Sequence, residues 1–280
     1  MQYIEHNGEV EVEGVFDFDL ARIFECGQCF RWDADKNGEY TGVARGLAAR
    51  IRKSGDSVFI SGTAAEFESV WRDYFDLERD YAEIRRALAV DEFMEKACEF
   101  GAGIRILRQD RWEALCSFIV SQCNNIPRIK KIIKVLCEEF GDKFRFEGRD
   151  VYTFPAPERL ALLQPENLAP IKCGYRAEYI IEAARMVADG TLNLDALSGL
   201  SPNEARAELK KIRGVGNKVA DCAVLFGLHM LDAFPLDVWM KRAVAENYGK
   251  GFDPGIFSPY AGIAQQYIFH YTRMGQNSDM

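Results

Sequence analysis

The sequence lacks any hydrophobic run near the roughly 18 residues that cross a bilayer, so we expect no membrane span and no membrane partner. Its first residues, MQYIEHNGEVEVEG, are acidic and have no apolar centre, which argues against a signal peptide and for an intracellular protein. The eight cysteines are then expected to be free thiols. Cys26 and Cys29 form a C-x-x-C pair, but the chain has only three histidines and no βαβ pattern around the pair, which disfavours a zinc or redox role.

Acidic residues outnumber basic residues by 43 to 35, so the net charge is −8 and the isoelectric point is about 5.2. This balance argues against a protein that coats nucleic acid indiscriminately. Two segments are nevertheless basic: residues 103–136 contain seven basic and two acidic residues, and residues 204–218 contain five and two. Either segment is a solvated helix face or a local contact for an acidic partner.

The apolar spacing changes near residue 64. Residues 1–63 alternate short apolar stretches with glycine, serine and asparagine turns, as antiparallel strands do, whereas later residues repeat apolar positions at three and four. We therefore predict an α+β fold, with an N-terminal twisted antiparallel β-sheet domain over residues 1–90 and a larger all-α domain over residues 91–280. The predicted helices are 111–121, 126–140, 157–163, 176–189, 203–212, 217–228, 238–248 and 261–274.

A glycine turn joins two of these helices in the stretch KIRGVGNKVADC. Gly214 and Gly216 bracket Val215, and we expect Asn217 to cap the second helix, so that residues 203–228 form a helix–hairpin–helix unit. The unpaired N–H groups and the dipole at that helix start favour an anion such as a DNA phosphate. A plain corner between two helices would use the same glycines.

Lys218 lies in the first turn of the second helix, where a cation opposes the helix dipole. That position and partial burial favour the neutral, nucleophilic form of the amine; neutralising a phosphate is the alternative. Cys222 follows four residues later and shares its face of the helix. Asp237, after FPL, is expected to cap the next helix; it either caps only or also shuttles the proton of the amine.

Several segments together resemble one enzyme family. LKKIRGVGNKVADC and FPLDVWMKR resemble the helix–hairpin–helix DNA glycosylases, whose hairpin is followed by a glycine-proline-rich loop and an aspartate. GQCFRW at 27–32, GIRILRQDRWEALCSFIVSQCNNIPRI at 103–129 and CGYRAEYI at 173–180 are similar to segments of the 8-oxoguanine DNA glycosylases. The resemblance covers nearly the whole chain, in order.

The resemblance implies a reaction for two residues. At the position of Lys218, the family lysine attacks the anomeric carbon of the sugar and expels the damaged base, forming a Schiff base from which β-elimination can cleave the strand. Asp237 matches the aspartate that either handles the amine proton or stabilises the developing oxocarbenium charge. The implied substrate is double-stranded DNA with 8-oxoguanine opposite cytosine, and the base must leave the stack to be reached.

The resemblance also implies a pocket for the base. Gly27 matches a glycine whose carbonyl accepts the N7 hydrogen of 8-oxoguanine, a hydrogen that guanine lacks. Gln265 matches the reader of the Watson–Crick edge, while Phe269 and Cys222 match the two walls that sandwich the base. Without the resemblance, Phe269 and Cys222 would be interpreted as residues that pack in the hydrophobic core.

Four further matches concern the DNA around the vacated position. Tyr175 matches a wedge inserted into the duplex, and Asn124 matches the asparagine that fills the gap. Arg128 and Arg176 match two contacts to the orphaned cytosine. Taken without the family, Tyr175 is a core or rim aromatic.

Two positions depart from the family. Cys123 stands where the first of three asparagines is common, so one contact to the opposite strand is lost and the requirement for cytosine is expected to relax. Trp239 stands where some members have a histidine that touches a phosphate; its indole N–H can donate one hydrogen bond without positive charge.

Other classes fit less well. No cysteine follows Cys222, so the branch with a C-terminal iron–sulfur cluster is disfavoured, and the alkyl-base branch lacks the lysine found at Lys218. A non-catalytic helix–hairpin–helix module would explain the hairpin and the basic segments, but not an amine and an acid at catalytic spacing. The resemblance implies no metal or organic cofactor, and we expect a monomer.

Overall fold

The computed structural model describes residues 1–275, and its N-terminal part is built on a six-stranded antiparallel sheet. The strand order is β1-β2-β6-β5-β4-β3, and each neighbouring pair runs antiparallel. Val10 and Val12 are buried in the core, while Glu9, Glu11 and Glu13, which alternate with them, are more exposed; this is the period-two pattern of a half-buried strand. The strands are β1 (Gln2–His6), β2 (Glu9–Glu13), β3 (Trp32–Ala34), β4 (Tyr40–Ala44), β5 (Leu47–Ser54) and β6 (Ser57–Ser61).

A short helix that the strand pattern did not indicate interrupts this domain. Helix α1 (Leu20–Glu25) begins at Asp19, whose carboxylate accepts a hydrogen bond from Arg22 N at 3.0 Å. Phe24 stacks on the indole of Trp32 with ring centroids 4.4 Å apart, which fixes the helix against the sheet. Six residues are too few for helical periodicity to stand out in sequence.

Helices make up most of the rest of the chain, which confirms the predicted α+β class. The first helical segment consists of α2 (Ala64–Glu66) and α3 (Arg72–Tyr74), which the π-helical turn Phe67–Trp71 connects. The later helices are α4 (Tyr81–Leu88), α5 (Glu92–Phe100), α6 (Arg111–Val120), α7 (Ile126–Phe140), α8 (Pro157–Ala161), α9 (Arg176–Ala188), α10 (Pro202–Leu209), α11 (Asn217–Cys222), α12 (Val238–Asn247) and α13 (Ala261–Met274). None of the helices in residues 1–275 is long and apolar enough to span a membrane.

One β-hairpin is inserted among these helices. Strands β7 (Lys143–Phe146) and β8 (Arg149–Tyr152) pair antiparallel across a two-residue turn, Glu147-Gly148, in which both residues have positive φ. Positive φ at both central positions is the geometry of the favoured hairpin turn. The pair adds a small second sheet to the otherwise helical domain.

Two hydrophobic cores are joined by the segment 26–30. The sheet and α1 enclose one core, which includes Cys29, and the helices enclose the other, which includes Cys26 and Phe30. Helix α6 runs through the second core with nearly all of its residues buried. The carboxyl end of α6 therefore meets the start of α11 inside the molecule, where the candidate site lies.

Candidate active site

Lys218 sits at the start of α11, directly after the glycine turn. Gly216, in extended backbone, is the residue that precedes the helix, and no side chain caps it. The prediction that Asn217 caps this helix is therefore wrong: Asn217 is the first helical residue. A helix start without a side-chain cap leaves its N–H groups free for an outside acceptor.

The amine of Lys218 is half-buried against α6. Its Nζ donates a hydrogen bond to Ser121 Oγ at 2.9 Å and lies 5.3 Å from the centre of the Phe118 ring. The Phe118 ring is itself stacked on Phe226, with centroids 5.1 Å apart. Ser121 was not singled out in the sequence, because only the tertiary fold brings a residue 97 positions away to the lysine.

Asp237 caps α12, as predicted. Its Oδ1 accepts a hydrogen bond from Met240 N at 2.8 Å, and the side chain is half-buried. The cap uses only Oδ1, so the second carboxylate oxygen can serve another partner. Asp237 and Lys218 line the same cavity.

Cys222 is buried one turn beyond Lys218. Burial raises the pKa of its thiol to about 11, and the charge of Lys218 opposes that rise. The thiol is therefore protonated at neutral pH in this structure and presents a small apolar surface.

The cavity has a volume of about 700 Å³. It lies where the N-terminal segment around Gly27 meets the helices and the glycine turn before α11. Eight of the residues singled out in the sequence line it: Gly27, Cys123, Asn124, Gly216, Lys218, Asp237, Trp239 and Phe269. Six do not contribute to its lining: Arg128, Tyr175, Arg176, Gly214, Cys222 and Gln265. Its size suits a nucleobase with its sugar, since small-molecule pockets begin at roughly 300 Å³.

Gly27 forms one wall with a backbone that favours glycine. Its φ is +86°, and a Cβ added there would lie 3.2 Å from Ile126 Cδ1 and 3.9 Å from the Phe269 ring. The neighbouring Gln28 is fully buried; its Nε2 donates to the carbonyls of Ile23 and Arg105 at 2.9 and 2.8 Å. Gln28 thus fixes the loop so that Gly27 faces the cavity without a side chain.

Helix α13 supplies the adjoining wall through Phe269. The ring is half-buried, and the guanidinium of Arg273 lies 5.9 Å from its centre. Gln265, one turn earlier, is buried, and its Oε1 accepts a hydrogen bond from Gln266 Nε2 at 2.8 Å. Gln265 therefore lies behind the cavity, with its carbonyl oxygen already bonded.

Arg176 is placed differently from an exposed DNA contact. It is 4% exposed, and its guanidinium donates to the backbone carbonyls of Gln122, Cys173 and Cys123. These bonds organise the loop that carries Cys123, which has a left-handed φ of +47° and an exposed side chain. In this structure Arg176 supports the cavity rim from behind.

The other residues assigned to the DNA around the flipped base are more exposed than Arg176. Asn124 is half-buried and its Nδ2 donates to Val120 O at 3.1 Å, whereas Arg128 is exposed at the start of α7. Tyr175 is 52% exposed, with the guanidinium of Arg176 4.5 Å from its ring centre. Trp239, which lines the cavity, is also exposed, so the rings of Tyr175 and Trp239 both reach solvent.

The two glycines of the hairpin turn have different surroundings. Gly214 has a φ of +81°, and a Cβ there would lie 2.4 Å from the Tyr179 ring, so it packs closely on α9. Gly216 has an ordinary φ of −91°, and nothing lies within 4 Å of its added Cβ. Gly214 thus docks the turn, while Gly216 leaves its outer side open.

Much of the basic segment 103–136 is used inside the protein. Arg105 is 4% exposed and donates to the carbonyls of Phe16, Asp17 and Asp76. Arg108 pairs with Asp76 at 3.2 Å. The exposed basic residues of this segment are on α7, at Arg128, Lys131 and Lys134.

The cysteines are free thiols, as predicted. Burial raises the pKa of Cys26 to about 12 and also raises the pKa of Cys29 well above its ordinary value. The two thiols belong to different hydrophobic cores. Within residues 1–275, no group of histidine, cysteine and acidic side chains is arranged to hold a metal ion.

Comparison with known proteins connects this geometry to a family. Residues 13–115 match the 8-oxoguanine DNA glycosylase N-terminal domain, and residues 116–251 match the HhH-GPD superfamily of base excision DNA repair proteins. The chain is 31% identical over 255 residues to the N-glycosylase/DNA lyase of Saccharomyces cerevisiae, which covers 82% of this chain and 68% of that protein.

Two solved structures are similar over almost their full lengths. One is the 8-oxoguanine glycosylase/lyase of Clostridium acetobutylicum in complex with double-stranded DNA containing cytosine opposite 8-oxoguanine, with 39% identity, a TM-score of 0.93 and coverage of 99% of both chains. The other is MBOgg1 in complex with a low-affinity DNA ligand, with 44% identity, a TM-score of 0.94 and coverage of 99% of this chain and 100% of that chain. The chain therefore belongs to the 8-oxoguanine DNA glycosylase family of helix–hairpin–helix proteins.

Proposed function

We propose that this protein is a bifunctional base-excision-repair enzyme that releases 8-oxoguanine from duplex DNA and then cleaves the strand at the resulting abasic site. The observation that carries the proposal is the half-buried amine of Lys218, which lines a base-sized cavity together with the carboxylate of Asp237. Lys218 is the proposed nucleophile. A module that only grips backbone phosphates needs neither the cavity nor the acid beside the amine.

The first chemical step joins Lys218 to the sugar. The lone pair of Nζ attacks C1′ of the deoxyribose, the C1′–N9 bond breaks, and the base leaves with that electron pair and takes a proton from solvent. The attached nitrogen loses a proton. The nitrogen lone pair then forms a C1′=N bond as the C1′–O4′ bond breaks and O4′ takes up a proton, which gives the Schiff base.

Strand cleavage follows from the same intermediate. A base removes a proton from C2′, the electrons form a C2′=C3′ double bond, and the C3′–O3′ bond breaks to release the phosphate. Water then hydrolyses the imine and returns the lysine amine. The residues and water supply every proton and electron pair, so the reaction uses no metal or organic cofactor.

Asp237 is proposed to assist at the first step. Asp237 lines the same cavity as Lys218, and only its Oδ1 is committed to the helix cap. A carboxylate there lowers the energy of the positive charge that develops on the sugar and can accept the proton that the amine loses. Both effects favour bond breaking over simple binding.

Selection of the lesion is assigned to the walls of the cavity. The carbonyl of Gly27 is proposed to accept the N7 hydrogen of 8-oxoguanine and to repel the N7 lone pair of guanine. Phe269 and Cys222 would sandwich the flipped base, which requires the base to reach the buried, protonated thiol of Cys222 behind the lining of the cavity. Gln265 would read the Watson–Crick edge after leaving its hydrogen bond to Gln266.

The remaining contacts are assigned to the duplex around the flipped base. Tyr175 is the proposed wedge and Asn124 fills the vacated position, with Arg128 and Arg176 toward the orphaned cytosine. For this role, Arg176 must give up some of its hydrogen bonds to backbone carbonyls and donate to the orphaned cytosine instead. Gly214 and Gly216 shape the turn that holds a phosphate, and the indole N–H of Trp239 donates to a neighbouring one.

The proposal extends to the assembly and the location. The partner is double-stranded DNA with 8-oxoguanine opposite cytosine, bound by one copy of the chain, and the enzyme acts inside the cell where that DNA is. Cys123 in place of an asparagine is proposed to relax the requirement for cytosine.

Borohydride trapping tests the proposed nucleophile. A duplex with one 8-oxoguanine opposite cytosine is incubated with wild-type protein, Lys218→Gln or Lys96→Gln in the presence of borohydride. We expect a covalent protein–DNA adduct with wild type and Lys96→Gln and none with Lys218→Gln, because hydride fixes the Schiff base as an amine. Lys96 is a matched control, since it is an exposed lysine paired with Glu92 on α5.

Two results would contradict the proposal. No adduct from wild type, with tight binding retained, would make the protein a binding module and Lys218 a phosphate contact. An adduct with Lys218→Gln would assign the chemistry to another amine.

A further inference from the structure

Ser121 contacts the amine of Lys218 and its own proton has another partner. Lys218 Nζ donates to Ser121 Oγ at 2.9 Å, and Ser121 Oγ donates to the backbone carbonyl of Phe118 at 2.7 Å. A carbonyl oxygen can only accept, so the hydroxyl proton of Ser121 must point at Phe118. The oxygen of Ser121 is then left to accept from the amine.

We infer that Ser121 is a positioning residue that holds the amine of Lys218 for attack while leaving the nitrogen lone pair free. A serine hydroxyl next to a neutral amine can bind it in two ways. If the hydroxyl donated its proton, it would occupy the lone pair that must attack C1′. Because the proton is committed to Phe118, the hydroxyl binds through an N–H and the lone pair stays available.

The location of Ser121 makes this orientation stable. Ser121 follows the last residue of α6, and its backbone N–H also bonds back to that helix, at Ser117 O, 3.0 Å away. Helix α6 is buried through the middle of the helical core, so the hydroxyl is attached to a rigid element. Rigid support of a contacting group is what holds a reacting atom at a fixed position.

Lys218 needs such a contact because its side chain is long. Four rotatable bonds separate Nζ from the backbone, and the entropy of a free lysine chain disperses the amine over many positions. The face of the Phe118 ring, 5.3 Å from Nζ, attracts the charged amine without fixing its direction. A directional hydrogen bond to Ser121 restricts the amine to one site, which raises the fraction of productive encounters with C1′.

The inference rests on the proposed function and concerns its attacking step. Removing the acceptor is expected to slow base release by about tenfold, the effect of one hydrogen bond. The affinity for DNA is expected to be unchanged, since the hydroxyl has its two bonds within the protein. The rate of Schiff-base formation on a ready-made abasic site should fall as well, because that reaction has no base to recognise but needs the same amine.

Three substitutions and one control test this assignment. Ser121→Ala removes the acceptor, Ser121→Cys keeps the shape with a weak acceptor, and Ser121→Thr keeps the hydroxyl. Ser117→Ala is the matched control, because it removes a buried hydroxyl from the same helix one turn earlier. The readouts are single-turnover release of 8-oxoguanine, borohydride trapping on an abasic duplex, the Kd for a duplex with a cleavage-resistant 2′-fluoro 8-oxoguanosine, and the thermal midpoint.

We expect Ala and Cys to slow both reactions about tenfold at unchanged Kd, and Thr and Ser117→Ala to retain wild-type rates. Wild-type rates in both Ala and Cys would overturn the inference. Slow base release combined with wild-type trapping on the abasic site would also overturn it, because Ser121 would then act on the base. Slow rates in Thr equal to those in Ala would assign the effect to packing. The proposed function fails separately, if Lys218→Gln retains trapping.

Discussion

At the scale of single residues, the two reacting groups are fixed by helix starts. Lys218 lies in the first turn of α11, where its charge opposes the dipole, and Asp237 caps α12 through Met240 N. A lysine at the positive end of a helix lowers the free energy of unfolding by about 0.3–1 kcal/mol. An unfavourable position that also aims the amine into a base-sized cavity is explained by chemistry rather than by folding.

Gly27→Ala is expected to impair lesion selection beyond its effect on stability. At this positive φ, any side chain strains the backbone by about 1–2 kcal/mol. The new methyl group would also lie only 3.2 Å from Ile126 Cδ1, a residue that lines the cavity. We expect release of 8-oxoguanine to fall at least tenfold and the preference for 8-oxoguanine over guanine to shrink. Both are measured by binding and single-turnover assays on matched duplexes.

Gly38→Ala is the control for backbone strain. Gly38 has a φ of +80° and nothing within 4 Å of its added Cβ, so it has the same strain without a neighbour. Chemical denaturation should find similar losses of unfolding free energy in the two variants. Normal excision by Gly27→Ala at an equal loss of stability would remove Gly27 from the lesion-reading role.

The sequence predicted which residues belong to the site better than it predicted where their side chains point. The sequence placed Lys218, Asp237 and Gly27 in a site, and all three line one cavity. It could not tell that Arg176 is buried against backbone carbonyls, because guanidinium groups serve proteins and phosphates alike. Ser121 was missed for the same reason: nothing local distinguishes a serine that ends a helix from one that contacts a distant lysine.

At the scale of elements, the hairpin is a rigid unit with one docked and one open side. Gly214 packs on the Tyr179 ring of α9, and Gly216 opens to solvent beside the cavity. The free N–H groups at the start of α11 lie on the open side, where a phosphate can approach. Its two glycines therefore predict different outcomes for the same substitution.

Gly214→Ala and Gly216→Ala are expected to separate folding from DNA binding. A methyl at Gly214 would meet the Tyr179 ring at 2.4 Å at a positive φ, so the unfolding free energy should fall by about 2–4 kcal/mol. A methyl at Gly216 meets nothing in the protein, so stability should change by less than about 1 kcal/mol while DNA affinity falls severalfold. Denaturation and fluorescence anisotropy measure the two effects. Unchanged DNA affinity in Gly216→Ala would exclude a phosphate at this turn.

Long periodic elements were predicted well, whereas two short ones were missed. Helix α7 and helix α13 have the predicted bounds, because fourteen or fifteen residues display their apolar spacing clearly. The hairpin of β7 and β8 has four residues in each strand, and α1 has six, so neither builds up a period. The misassigned cap at Asn217 arose because a glycine can occupy the cap without any side-chain bond.

At the scale of the whole molecule, a buried ionic cluster ties the two domains together. Asp76, which follows the strands within the N-terminal domain, pairs with Arg79 at 2.7 Å and with Arg108 at 3.2 Å, and accepts a hydrogen bond from Tyr81 at 3.0 Å. His229 enters from the helical domain, with Nε2 3.1 Å from Ile106 O and 3.6 Å from Asp76.

The stability of the protein is expected to fall as the pH decreases from about 6.5 toward 4. Burial lowers the pKa of His229 to about 4, against the attraction of Asp76. Between the two values the unfolded chain binds a proton that the folded chain does not, so each pH unit costs up to about 1.4 kcal/mol. Above pH 6.5 both states are neutral at His229, and its contribution is constant. Urea denaturation across this range measures the slope.

His229→Asn is expected to flatten that slope. Asparagine tolerates the left-handed φ of +54° at this position and does not ionise. His6→Asn is the control, because His6 is an exposed residue of the edge strand β1. Part of the slope will persist through His270, whose pKa burial also lowers. Equal slopes in wild type and His229→Asn would mean that His229 accepts its proton in the folded state, in which case the charged groups around Asp76, rather than burial, set its protonation at the domain junction.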